Sequence, residues 1–125
     1  MKGVTDSVAF VAVTDLDAAA AFYGDTLGLQ VRDERPFALV LEVGPTTVRV
    51  TKVDALAPPT HTVLGFSVAD AAEAVDDLSA RGVVFVRYDG MAQDERGVWT
   101  SPSGARVAWF RDPDGSTLSV TQQPP

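Results

Sequence analysis

The feature that most constrains this chain is that it repeats itself. Val13-Thr14-Asp15 returns as Val68-Ala69-Asp70 at an offset of 55 residues, and Gly28 returns as Gly82 at an offset of 54. In each copy an apolar run leads into an Asp able to cap a helix. Apolar residues then recur at helical spacing until a glycine stops them. A repeat of this length is one supersecondary unit used twice.

In the first copy the run Val8–Val13 is long enough for a buried strand and too short for a three-turn helix. Thr14 or Asp15 caps the helix, whose Leu16, Ala19, Ala20, Tyr23 and Leu27 share one face, and Gly28 ends it. Residues 29–32, 37–43 and 46–53 read as three strands, separated by Pro36 and by Gly44-Pro45. Residues 54–59 hold Ala-Leu-Ala-Pro-Pro and read as a linker, because paired prolines lack ladder donors. The second copy opens with a strand at 62–68 and a helix with Ala71, Ala74, Val75 and Leu78 on one face. Strand candidates follow at 83–88, 97–100, 105–110 and 117–121. Between the last two, Asp112-Pro113-Asp114-Gly115-Ser116 reads as a tight reversal, since proline fixes one φ and glycine accepts a positive one.

The expected fold is therefore α+β, two tandem βαβββ modules at about residues 7–56 and 60–121. Each would form a small curved mixed sheet with its helix on the convex face, and neither closes a core alone. Side by side, two such units leave a concave trough suited to a small-molecule ligand.

Composition removes several function classes. Ten Lys and Arg against 17 Asp and Glu give a net charge of −7 with no basic cluster, which argues against binding a nucleic-acid backbone. Cysteine is absent, so thiol catalysis, Fe–S clusters, Cys-type zinc sites and disulfides are excluded. The N-terminus lacks an apolar stretch of signal-peptide length and no run approaches a membrane span, so the expectation is a cytoplasmic protein with no membrane contact. No Ser-His-Asp elbow, phosphate-cradling glycine loop or dinucleotide fingerprint is present.

The closing turn is flanked by Val107-Ala108-Trp109-Phe110 and Leu118-Ser119-Val120, and the first helix exits through Tyr23-Gly24-Asp25-Thr26-Leu27-Gly28-Leu29. Together these resemble the vicinal oxygen chelate superfamily, which contains glyoxalase I, the extradiol dioxygenases and the bleomycin resistance proteins. The resemblance covers about residues 7–121. It implies a divalent metal held by His and Glu side chains from the first and last strands of each module. Carried onto this chain, the four ligand positions fall on Val8, Arg49, Val63 and Ser119. Two valines, an arginine and a serine do not make a metal site, so the implied member has no metal and no cofactor. Proteins resembling this one commonly complete the trough across a subunit interface, and two open sheet edges give a reason to pair, so a homodimer visible by light scattering is expected.

Within the expected trough several side chains have two readings. His61 precedes Val63 by two residues, which would put both on one strand face; it either points inward from the strand's entrance or sits exposed beside Pro58-Pro59. Arg49 alternates with Val48 and Val50, so it either faces the trough and binds a carboxylate, phosphate or enolate, or faces solvent on an edge strand. Phe10, Met91 and Trp99 are candidates to line an apolar site, with Trp99 as a wall and Trp109 as core. Asp94 and Glu95, in a long polar loop, are either an acid–base pair or a solvated pair. The favoured function is a metal-free protein that binds a small, partly aromatic molecule. The alternative is a glyoxalase-type lyase or dioxygenase-like enzyme.

Overall fold

In the computed structural model, which describes residues 1–125, strand β1 runs Val8–Val13 and hands over to a helix at Asp15. Asp15 is extended (φ −140°, ψ 110°), and its Oδ1 accepts from the backbone N–H of Asp17 at 2.9 Å and of Ala18 at 3.1 Å. Two of the donors that every helix leaves unpaired at its start are thereby satisfied. Helix α1 (Leu16–Ala19) is one turn long, and from Ala20 to Thr26 the turns widen. Leu27 N–H donates to Phe22 O, five residues back, at 2.8 Å. A single α-helix was expected here; the wider turns arise where Tyr23 is driven to full burial, and Gly28 (φ 72°) then ends the segment.

Strands β2 (Gln30–Glu34), β3 (Ala38–Val43) and β4 (Thr46–Lys52) complete the first sheet in the order β1-β4-β3-β2. β1 and β4 are parallel and the other pairs antiparallel. Val11, Val13, Leu39, Leu41, Val48 and Val50 are all buried, and the register places them on one face, the core side, with Leu16, Ala19 and Tyr23 of the helical segment. Val8, Phe10, Arg49 and Arg32 lie on the other face, which is open along β1 and covered at β3, where Ala38 and Val40 are buried.

The second unit uses the same plan. β5 (Thr62–Ser67), α2 (Ala71–Ala80), β6 (Trp99–Thr100), β7 (Arg106–Arg111) and β8 (Thr117–Gln122) give a sheet ordered β5-β8-β7-β6. Asp70 caps α2 at φ −141°, ψ 112°, nearly the dihedrals of Asp15, and accepts from Glu73 N–H at 3.1 Å. The duplication seen in the sequence is thus a duplication of backbone geometry. Ala71, Val75 and Leu78 of α2 are buried, as are Ala108, Phe110, Leu118 and Val120 on the core side of the sheet. Between β7 and β8 the buried Asp112 accepts at Oδ1 from the N–H of Asp114 and of Ser116, each at 3.0 Å, while Gly115 takes φ 86°. The reversal is held by one carboxylate and one residue free to take positive φ. By chain contacts the two units are Met1–Ala57 and Pro58–Pro125. No helix is long and apolar enough to cross a membrane.

Residues 83–88, read from sequence as a strand, form no ladder. A side chain takes the place of a neighbouring strand: Gln93 Oε1 accepts from Tyr88 N–H at 2.8 Å, and its Nε2 donates to Val86 O at 3.0 Å and to Gly97 O at 2.9 Å. Val86 N–H turns the other way and donates to Trp109 O at 2.8 Å. Both backbone groups of Val86 and the N–H of Tyr88 are thus satisfied without a strand ladder.

Candidate functional site

On the open face of the first sheet, the register sets Phe10, Arg49, Val40 and Arg32 side by side across four strands. Val48 and Val50 point to the core, so Arg49 lies on the opposite face, and its strand β4 is an interior strand of the sheet, not the edge strand of the second reading. Four charged side chains interlock there. Glu34 Oε2 accepts from Arg32 Nε at 3.2 Å, Glu34 Oε1 from Arg49 Nη1 at 3.3 Å, and Glu42 Oε1 from Arg32 Nη1 at 3.1 Å. The Arg32 hydrogen bond is the main cause, and Arg49 a lesser one, of a Glu34 carboxyl held below the usual range. Phe10 and Val8, on the same face of the edge strand β1, are 66% and 55% exposed.

On the open face of the second sheet, Trp109 lies opposite Ser119 and Ser119 opposite Gly65, with Trp99 opposite Val107 on the neighbouring strand. Trp109 was expected in the core. Instead Ala108 and Phe110 take the core side, and Trp109 is half-buried on the open one. Its ring centroid is 5.5 Å from that of Tyr88, nearly perpendicular at 87°, and 6.2 Å from that of Trp99 at 37°. Three aromatic rings thus form one group; the sequence offered Tyr88 and Trp99 as side chains suited to a planar ligand and assigned Trp109 to the core. The alternation of Val107 and Trp109 against Ala108 and Phe110 was the signal for Trp109, obscured because both faces of β7 are apolar.

Ser119 is 6% exposed, and a Cβ built on Gly65 would stand 2.9 Å from its Oγ. Gly65 is therefore the residue that lets the two strands approach at this point. Met91 is half-buried on the loop leading to β6, with its N–H donating to Tyr88 O at 3.3 Å.

His61 takes the exposed one of its two readings, and Val63 departs from the expected alternation. β5 starts at Thr62, which pairs with Thr117, and the next pair is Leu64 with Leu118, so Val63 is an extra residue at a bulge. The slip breaks the alternation that put His61 and Val63 on one face, and His61 stands exposed before the strand. Asp94 and Glu95 do not converge either. Asp94 Oδ1 accepts from Arg96 N–H and Val98 N–H, both at 2.9 Å, as the anchor of a turn, and the Glu95 side chain is 88% exposed.

A cleft of about 410 Å³ also opens in the first unit, at the ends of β1 and β4, with Asp15, Asp17, Arg35 and Lys52 among its walls. None of the candidate residues above lines it. Arg35 is already bound on both sides, to Asp17 Oδ1 at 2.7 Å and Asp33 Oδ2 at 2.7 Å, and its hydrogen bonds bring the Asp33 carboxyl down to about 2.

With this geometry in hand, the sequence matches the family profile described as Glyoxalase/Bleomycin resistance protein/Dioxygenase superfamily over residues 5–120. The chain belongs to that superfamily. Solved structures share the fold of this glyoxalase-superfamily chain. One is a member of the same superfamily from Sphaerobacter thermophilus DSM 20745, with TM-score 0.74 and 23% identity over 98% of this chain and 100% of that one. SMU.1112c has TM-score 0.72 and 25% identity over 96% and 99%. A lactoylglutathione lyase from Agrobacterium tumefaciens has TM-score 0.72 and 20% identity over 98% and 95%. No curated protein matches the sequence.

The divalent metal implied by the superfamily does not fit the residues present. The positions to which the sequence resemblance assigns the ligands hold Val8, Arg49, Val63 and Ser119, of which two have no donor atom and one is a cation. Elsewhere no three His, Asp or Glu side chains gather in a way that could hold a metal ion.

Proposed function

We propose that this glyoxalase-superfamily protein binds a small, partly aromatic molecule on an open sheet face and does so without a catalytic metal. The observation that carries the reading is the half-buried group of Tyr88, Trp99 and Trp109. Rings set edge-on and tilted, with part of their surface in solvent, offer a flat ligand both stacking and edge contacts. Met91 on the adjoining loop adds an adaptable apolar side chain. A lyase or dioxygenase needs converging acid, base or electrophilic groups. The carboxylates nearest the two faces are committed: Glu34 and Glu42 to arginines, and Asp94 to its turn.

Both tryptophans belong to the group, so intrinsic fluorescence reports on it directly. A panel of planar aromatic metabolites and antibiotics is expected to include compounds that quench the emission saturably, with the effect weakened in Trp99→Leu. The reading is overturned if no compound quenches while the protein turns over a hemithioacetal with added metal and loses that activity in His61→Ala.

A further inference from the structure

We infer that the first sheet, on the face that carries Phe10, binds a small molecule with a carboxylate or similar planar anion, and that Arg49 takes this group in exchange for Glu34. The inference rests on the small-molecule reading above and names the chemistry that the first sheet would recognise.

The argument starts from how unequally the two arginines are held. Arg32 is bracketed by two carboxylates, donating Nε to Glu34 and Nη1 to Glu42 at 3.2 and 3.1 Å. Arg49 has a single partner, one Glu34 oxygen, at 3.3 Å from Nη1. That distance is long for a charge-assisted bond, and a guanidinium has five donors arranged to grip a planar anion with two at once. Its side chain is 37% exposed on the open face, so the remaining donors are accessible to a ligand. Of the two arginines, Arg49 has the fewer carboxylate partners, one against the two of Arg32.

The exchange leaves no charge stranded. Glu34 splits its two oxygens between the arginines, so on releasing Arg49 it keeps Arg32 through Oε2. The Arg32 bond is also the larger influence on its carboxyl.

The neighbour of Arg49 supplies the rest of the ligand's chemistry. Phe10 is its direct register partner across the parallel β1–β4 pair, one strand spacing away, about 4.8 Å. Its ring is 66% exposed. A ring resting against Phe10 places a carboxylate attached to it within reach of the guanidinium. The ligand class is therefore an aryl carboxylate, or an aryl group bearing another planar oxyanion. The net charge of −7 does not oppose this, since charges beyond about 8 Å are largely screened at physiological salt.

The test compares 2-naphthoate with the neutral, near-isosteric 2-naphthylmethanol. Affinities are measured by calorimetry, and contact is located by NMR shifts of the Arg49 Nε and of the Phe10 and Arg49 amides. The carboxylate is expected to bind about tenfold tighter or better, the scale of one charge-assisted bidentate contact. Arg49→Gln should abolish that preference, bringing the carboxylate's affinity to that of the alcohol or below. Arg49→Lys should restore part of it, and Glu34→Gln should tighten the carboxylate by removing its competitor. Equal binding of the two compounds, or a preference that survives Arg49→Gln, overturns the inference and leaves the wider reading standing. If neither compound binds and none of the aromatic panel quenches the tryptophans, the wider reading fails and the inference with it.

Discussion

Replacing Gln93 by Leu removes three hydrogen bonds while keeping nearly the same volume, and its cost follows from the bonds the side chain makes. Tyr88 N–H loses its acceptor, and the carbonyls of Val86 and Gly97 lose their donors. At about 1 kcal/mol net per bond the loss is about 3 kcal/mol, more if water cannot replace the partners and less where it can, so about 2–4 kcal/mol. For a chain of this length that corresponds to a Tm lowered by roughly 10 °C. Gln93 also bridges to Trp99 in an isolated β-contact, so the aromatic group should loosen as well. Thermal melting followed by circular dichroism gives the first quantity, and the native tryptophan emission maximum, expected to shift to the red, gives the second. Gln93→Glu separates the roles: its carboxylate can still accept from Tyr88 N–H but cannot donate to the two carbonyls, so it should be at least as damaging as Leu. If Gln93→Leu melts within about 2 °C of the parent protein, the side chain is not acting as a strand partner and the reasoning is wrong.

Gly65→Ala should destabilise the second unit by about 1–3 kcal/mol, because its Cβ would meet Ser119 Oγ at 2.9 Å. The same change in a Ser119→Ala background should cost clearly less, and additive effects in denaturant melts would count against the steric account. Acid should weaken the first unit through Asp33, whose folded-state carboxyl titrates at about 2 against an ordinary value near 3.8. A depressed folded value gives stability that is complete above the unfolded value and lost as pH falls through the folded one, here between about pH 4 and pH 2. Asp33→Asn should flatten the Tm profile in that window, by a small amount since the pair is exposed and salt-screened; parallel profiles for the two proteins would reject the assignment.

The parts of the fold that local chemistry specifies were legible in the sequence. Asp15 and Asp70 announce their helices because a capping carboxylate acts within three residues, and Asp112 and Gly115 announce their turn for the same reason. Alternation along 46–53 also put Arg49 on the right face. What escaped depends on partners distant in sequence. The run 83–88 has the composition of a strand, and nothing local shows that Gln93 will replace its neighbour. The slip at Val63 is a property of the β5–β8 pair and leaves no mark in either strand alone. The Arg32, Glu34, Glu42 and Arg49 network needed the register of three strands before its members could be seen to meet.

The matching strand orders, β1-β4-β3-β2 and β5-β8-β7-β6, bear on how the chain acquires its structure during synthesis. Every ladder is completed within its own half, so no strand of the first sheet waits for a partner beyond residue 57. Loop closure within each half spans a few tens of residues, where the entropic penalty grows slowly with length. At a translation rate of roughly 5–20 residues per second, the first sheet has all its strands in hand for several seconds before β8 emerges. The order of events is thus written into the repeat: the half that carries Arg49 can assemble while the half that carries the tryptophans is still being made.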